Sequence, residues 1–404
     1  MILPTSLLRQ RLGFALVCGL AIAIVVLTSL LSPATDQVRT NLTPATVVAR
    51  LQIADSPLTP ALVAALKASR AAPDSIEPAR AAAKLLIDEG RRLGDSRLVG
   101  AAVGVLGPFV VRDDPQSLYL SATARQYQHD FPGALILLDR AIALDPESIN
   151  AQLSRATIYT VLGQLSAAGD ACKEVSQLRP DVGFLCQSTA LVLTSQAPVV
   201  AQRLTQIIDQ PGLLDPALHP WAIGLLGEIA AVQGDDASAL KHFGAVITAD
   251  PEVIRERLLA ADILLRQSEF QQVLDLLVPA PDVDGVLIRR VLALRGLNAP
   301  DQAAPMVAEL GRRVAQNLEL GLASHAREDA MYFLLVAGDP AAALDRAKIN
   351  WALQHEVEDA QLLIDAAKAA GRPTEAAGVF DWARSEDVVV PSFGQAPSIA
   401  EAGE

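Results

Sequence analysis

Two stretches, "DRAIALDPES" at 139–148 and "CKEVSQLRPD" at 172–181, each run a helix-forming segment into a proline, and the two prolines lie 34 residues apart. The same offset relates Phe131 to Leu165, Ala134 to Ala168, Leu138 to Cys172, Ala141 to Val175, Pro146 to Pro180 and, upstream, Ala122 to Ala156. Each of these pairs suits a packed position. A unit of this size reads as a helix, a short polar turn, a second helix and a Pro-stopped turn. One such pair cannot bury its apolar face alone, so successive pairs must stack. A chain of 404 residues also exceeds one ordinary core, which agrees with an array.

Further units keep the rhythm. "LLGEIAAVQGDDASALKHFGAVITADP" carries Gly227, Gly234, Ala239, Phe243 and Pro251, and Pro251 lies 71 residues after Pro180, two repeats plus a three-residue insertion. "AMYFLLVAGDPAAALDRA" supplies Gly338, Ala343 and Ala347, and "LIDAAKAAGRPTEAAGVFDWA" supplies Gly371, Ala376, Phe380 and Ala383. The units at 183–216 and 286–322 are degenerate. The pattern predicts about nine helix pairs over 75–387. Small residues at the facing positions let paired helices approach closely. The proline ends the second helix and starts the turn to the next unit.

On these residues the chain resembles the tetratricopeptide repeat (TPR) family, above all on Ala134, Pro146, Ala156, Gly163, Ala168 and Pro180. The resemblance implies an all-α, TPR-like α-solenoid, a right-handed superhelix of helix pairs whose first helices line a groove. Members that clamp a C-terminal carboxylate carry Lys, Asn and Arg on the first helices. The matching places here hold Gln116, Tyr119, Leu120 and Thr123, then Asn150, Leu153, Ser154 and Thr157. The basic residues are missing, so that clamp does not carry over. Register leaves Tyr119, Thr123, Gln126, Asn150 and Thr157 as candidate groove residues, each otherwise an ordinary solvated helix position.

The apolar content is Ala, Leu and Val rather than aromatic, which suits tightly packed helices. A net charge of −13 without a basic run speaks against nucleic acid as a partner. No phosphate loop, nucleophile elbow or zinc-protease helix is present, and the repeats leave no segment long enough for a catalytic domain. We therefore expect no enzyme activity, no cofactor and no metal site. "HEVED" at 355–359 reads as a solvated helix start rather than a cation site.

The N-terminal segment has its own signal. Arg9 and Arg11 precede an uncharged run, Leu12 to Ser32, long enough to span a hydrocarbon core of about 30 Å. The charge bias predicts a cytoplasmic N-terminus and an exported remainder. The run exceeds the apolar region of a cleaved signal peptide, which favours an uncleaved anchor. Ser32-Pro33-Ala34 keeps cleavage open as the alternative. The domain reading is thus 1–35 signal anchor or signal peptide (transmembrane about 12–32), 36–74 tether and lead-in helix, 75–387 repeats and 388–404 loose tail. Only 6 of 33 basic residues are Lys, and with so much Ala this composition points to a GC-rich bacterium and hence to the periplasm.

Cys172 lies mid-way along a second helix and Cys186 in the next first helix, on either side of the turn near Pro180. Antiparallel packing would set them side by side. They either pair in an oxidising compartment or remain two buried thiols. The expected role is a membrane-tethered exported scaffold for protein–protein interaction, holding a protein or extended peptide, in envelope assembly, secretion or cofactor insertion. The alternatives are a soluble periplasmic binding module released by cleavage and a structural subunit of a membrane complex.

Overall fold

The computed structural model describes residues 59–394 apart from Gly94, Asp95 and Pro211. All belong to the second of two units, Met1–Gln52 and Ile53–Glu404. The expected anchor at 12–32, the tether to residue 58 and the tail beyond residue 394 lie outside the described residues. Among those described, no helix is long and apolar enough to cross a membrane.

The described residues form nineteen helices, a lead-in helix α1 (Thr59–Ala71) and nine consecutive pairs. The pairs are α2 (Ile76–Leu93) with α3 (Ser96–Val110), α4 (Pro115–Tyr127) with α5 (Phe131–Leu144), and α6 (Ile149–Val161) with α7 (Leu165–Leu178). Next come α8 (Pro180–Leu191) with α9 (Ala197–Asp209), α10 (His219–Val232) with α11 (Asp236–Ala249), and α12 (Arg255–Arg266) with α13 (Phe270–Leu277). The last are α14 (Asp284–Gly296) with α15 (Pro300–Glu319), α16 (Ala326–Met331) with α17 (Pro340–Trp351), and α18 (Val357–Ala369) with α19 (Ala377–Ser385). Each helix packs chiefly on its neighbours in sequence. This sequential pairing is an all-α, TPR-like architecture. The units at 183–216 and 286–322, degenerate in sequence, fold as the pairs α8/α9 and α14/α15.

The turn inside most pairs shares one backbone conformation. In seven of the pairs the first helix closes on a left-handed residue, and the α8/α9 turn has none. Gly163, Gly234, Gly338 and Gly371 take that position with φ near +70° (68°, 78°, 70° and 69°). His129, Ser268 and Asn298 take it in other pairs, with φ of 60°, 61° and 54°. The conformation recurs where glycine does not, so a search for glycine undercounts it. Asp130, Asp235 and Asp339 then cap the second helix, each accepting a backbone N–H three residues on, from Gly133, Ser238 and Ala342. Ser268 is exposed and pays the left-handed penalty without a compensating contact. Ser268→Gly is expected to stabilise the protein by about 0.5–1 kcal/mol, read as a rise in the urea midpoint.

Inside the stack the small residues sit where helices touch. Ala134, Ala168, Ala239 and Ala343 are fully buried on second helices, and Ala156 and Ala376 are nearly so. Gly227 on α10 lies under the ring of Phe243, where an added Cβ would come within 2.6 Å of the ring. The prolines are not all alike. Pro146 and Pro251 lie in exposed turns between pairs, as the register requires. Pro180 instead opens α8, with only Arg179 between it and α7. It is a helix start as well as a stop, because a first-turn residue needs no intrahelical N–H donor.

That short turn sets α7 and α8 antiparallel, and Cys172 and Cys186 are joined as a disulfide with Cα atoms 5.4 Å apart. Both sulfurs are buried with Ala156, Val175 and Val182. The closed loop of about 15 residues is worth roughly 3 kcal/mol in the chain-entropy model. Replacing both cysteines by alanine is expected to cost about that much, read by denaturant unfolding of oxidised protein against the double variant.

The stack curls back on itself. The amide of His355, before α18, donates to Val161 O at the end of α6 (2.7 Å). Trp382 Nε1 on α19 donates to Gly163 O (2.9 Å), and Leu165 packs among core residues drawn from 330–393. The segment from Val388 to Gly394, expected to be loose, is docked instead. Val388, Val390 and Phe393 are buried, and Val388 forms an antiparallel bridge with Thr194. Its alternate valines find an apolar seat only because the ring closes, which sequence periodicity cannot register. Phe380 packs in this last core, and Trp382, which also packs against it, reaches across the closure.

Candidate functional site

The closure gathers charged side chains from distant repeats. The "HEVED" stretch is its centre, and it is not a solvated helix start. Asp359 is fully buried. It accepts two hydrogen bonds from Arg327 on α16 (2.6 and 2.7 Å) and one from Asn350 Nδ2 (2.5 Å). It also caps its own helix by accepting the Glu356 amide (2.9 Å), one half of a reciprocal capping box. Glu356 pairs with Arg327 and also with Arg255, the first residue of α12, at 3.6 Å. Arg255 in turn pairs with Glu228 on α10 at 3.2 Å. A second buried pair supports the first. Asp329 on α16 accepts from Arg346 (2.7 Å) and from Asn317 Nδ2 (3.0 Å).

Electrostatics follow from this enclosure. Arg255 keeps 46% of its side-chain surface open, between Glu228 and Glu356. Glu228 foremost, then Glu358 and Glu356, hold the Arg255 guanidinium firmly charged against the cost of burial. Burial is also the largest influence on Glu356 and pushes it up. Arg327 and Arg255 together overcome it and hold that carboxyl below the usual range. Burial wins at Glu256, Glu328 and Glu358, whose carboxyls are raised. Glu256 Oε2 and Glu358 Oε2 are enclosed and accept no hydrogen bond among the described residues.

His129, the left-handed residue closing α4, lies within the field of the same charges. Burial first, then the positive field of Arg327 and His325, lowers it to about 4, against a small opposing pull from Glu356. The imidazole is therefore neutral in the folded protein and takes up a proton more readily when unfolded. Its contribution to stability is complete above about pH 6.5 and is lost as pH falls toward about 4. His129→Asn, which tolerates the left-handed backbone, is expected to flatten the fall in urea midpoint between pH 7 and pH 5.

The candidate groove residues lie elsewhere. Thr123 is buried and its hydroxyl donates to Tyr119 O (3.0 Å), so it is spent inside α4. Tyr119 is half-buried against the α4/α5 core. Thr123 is thus turned into the packing of α4 against its neighbours, while Tyr119 keeps part of its surface open. Gln126 is half-buried, Asn150 is exposed, and Thr157 is exposed with its hydroxyl on Leu153 O (2.9 Å). The acidic stretch 355–359 was legible only in part. Its partner Arg327 lies 29 residues before Glu356 and 32 before Asp359, close to one repeat pitch. A search for opposite charges one repeat apart would have found it. Arg255, some hundred residues earlier, could be placed only by closure.

No protein-family model matches this chain, and no curated protein matches it. Solved structures similar to it include the human IFIT1 dimer with m7Gppp-AAAA, 10% identical over 81% of this chain and 86% of that one, with a TM-score of 0.43. Yeast Tom70 is 13% identical over 82% of each chain, with a TM-score of 0.37. A tetratricopeptide repeat protein from Parabacteroides merdae is 13% identical over 76% of this chain and 99% of that one, with a TM-score of 0.29.

Proposed function

We propose that the chain is a membrane-tethered, exported repeat scaffold that holds a protein or an extended peptide. The observation that carries this reading is the enclosed polar centre. Glu228, Arg255, Glu356 and Arg327 come from four helix pairs and form one chain of ion pairs, beside which Glu358 Oε2 accepts no hydrogen bond among the described residues. Stacked repeats bind through such inward surfaces, because each pair adds side chains to a continuous wall. Nothing there resembles a nucleophile–base pair. The buried disulfide supports an oxidising compartment. The apolar run from Leu12 to Ser32 supports the tether.

In the native host, a photo-crosslinking residue at Glu358 is expected to capture protein partners from membranes. The same residue at Val278, 73% exposed and outside the polar centre, should not capture them. Equal capture at both positions, or none at 358, would defeat the scaffold reading. Sequencing the mature N-terminus decides the tether. A start at or near Met1 with membrane fractionation supports it, and a start after Ala34 in a freely released protein replaces it with the cleaved periplasmic module.

A further inference from the structure

The segment that closes the ring is bound as a ligand would be. Its residues alternate between a buried Val388, a Val389 that is 53% exposed, and a buried Val390. Backbone bonds join it to the turn after α8. Val389 N–H donates to Leu193 O (2.7 Å), and Ser195 N–H donates to Asp387 O (3.3 Å). Two acidic side chains anchor its start. Glu386 accepts the Ser166 amide in the first turn of α7 (3.1 Å), and Asp387 accepts the Ser195 hydroxyl. Phe393 ends it in the apolar core. This is strand addition to a free backbone edge, in which main-chain bonds hold the segment and alternate side chains fill a seat.

We propose that the Leu193–Ser195 edge and the apolar seat beside it form a docking site for an extended segment. Its pattern is two acidic residues followed by apolar side chains at alternate positions. The chain's own Glu386–Gly394 is the resident occupant, which a partner's segment displaces. The resident segment is suited to displacement. Beyond its three buried side chains it is held by one β-bridge among the described residues, and its Ser195–Asp387 and Ser166–Glu386 contacts are exposed, so the anchors at its start are open to a competitor. The site rests on the scaffold reading and names the chemistry of its partner.

The test uses the full-length chain in detergent and a fluorescent peptide of residues 386–394, EDVVVPSFG, followed by anisotropy. A Val388→Ala/Val390→Ala chain, with its own segment weakened, should bind the peptide at least tenfold more tightly than the unsubstituted chain. A Ser195→Cys/Asp387→Cys chain, locked by a disulfide, should not bind it. The Ser195 amide of the weakened chain should gain protection from hydrogen exchange when peptide is added. No binding by a weakened chain that still melts cooperatively would overturn the proposal, as would equal binding by weakened, unsubstituted and locked chains. If the double valine variant does not melt cooperatively, Glu386→Ala/Asp387→Ala, which trims only exposed contacts of the resident segment, takes its place under the same criteria. Failure of the scaffold reading would show instead as absent crosslinks at residue 358 in cells, whatever the peptide does.

Discussion

Asp359→Ala is expected to destabilise the helical unit by about 3–5 kcal/mol, the range for removing one partner of a buried ion pair. The carboxylate is fully buried and accepts from Arg327, Asn350 and the Glu356 amide. Alanine leaves Asn350, itself 2% exposed, without that acceptor and takes the bidentate partner from Arg327. Arg327 keeps Glu356, which should hold the loss within that range. Asp359→Asn preserves shape but not charge and should fall between alanine and the native residue. Replacing both partners, as Arg327→Met with Asp359→Leu, should cost less than Asp359→Ala alone, because no charge is then left buried. Urea unfolding followed by far-ultraviolet circular dichroism reads all three. A loss below about 1 kcal/mol for Asp359→Ala would mean that the network is solvated in practice.

Phe243→Ala is expected to cost about 3–5 kcal/mol, for a different reason. The ring is fully buried between α10, α11 and α12, against Ala230, Ala239, Ala260 and Ile263. Its floor is Gly227, which has no side chain to swing into the vacated space. The neighbouring alanines cannot reach far either. The cavity should therefore stay open, and the cost should sit at the upper end. Phe243→Leu, which keeps much of the volume, should lose about half as much. The same denaturation experiment reads both. A loss near 1 kcal/mol for alanine would show that α10 and α12 collapse into the gap.

Local chemistry made much of this fold readable. The 34-residue offset from Phe131 to Leu165 and from Ala134 to Ala168 reflects positions that meet the same neighbours in successive pairs. The proximity of Cys172 to Cys186 followed from a single short turn. Of the two degenerate units, α14/α15 uses the left-handed conformation at Asn298 rather than at glycine, and the α8/α9 turn has no left-handed residue. Thr123 was misread because a helical register gives direction but not depth. The acidic stretch 355–359 was misread because its counter-charges, Arg327 and Arg255, lie on other repeats.

Helix pairs, their pitch and their small-residue contacts are written in the chain's local pattern. These depend on interactions between residues within about one repeat of each other, where spacing along the chain is spacing in space. That Val161 meets His355, that Gly163 meets Trp382 and that Val388 pairs with Thr194 emerges only when the whole stack is folded. Those contacts span roughly two hundred residues. Small rotations between successive pairs accumulate along the stack, so no local pattern records whether its ends meet. Closure is where the charged centre and the docked segment both arise.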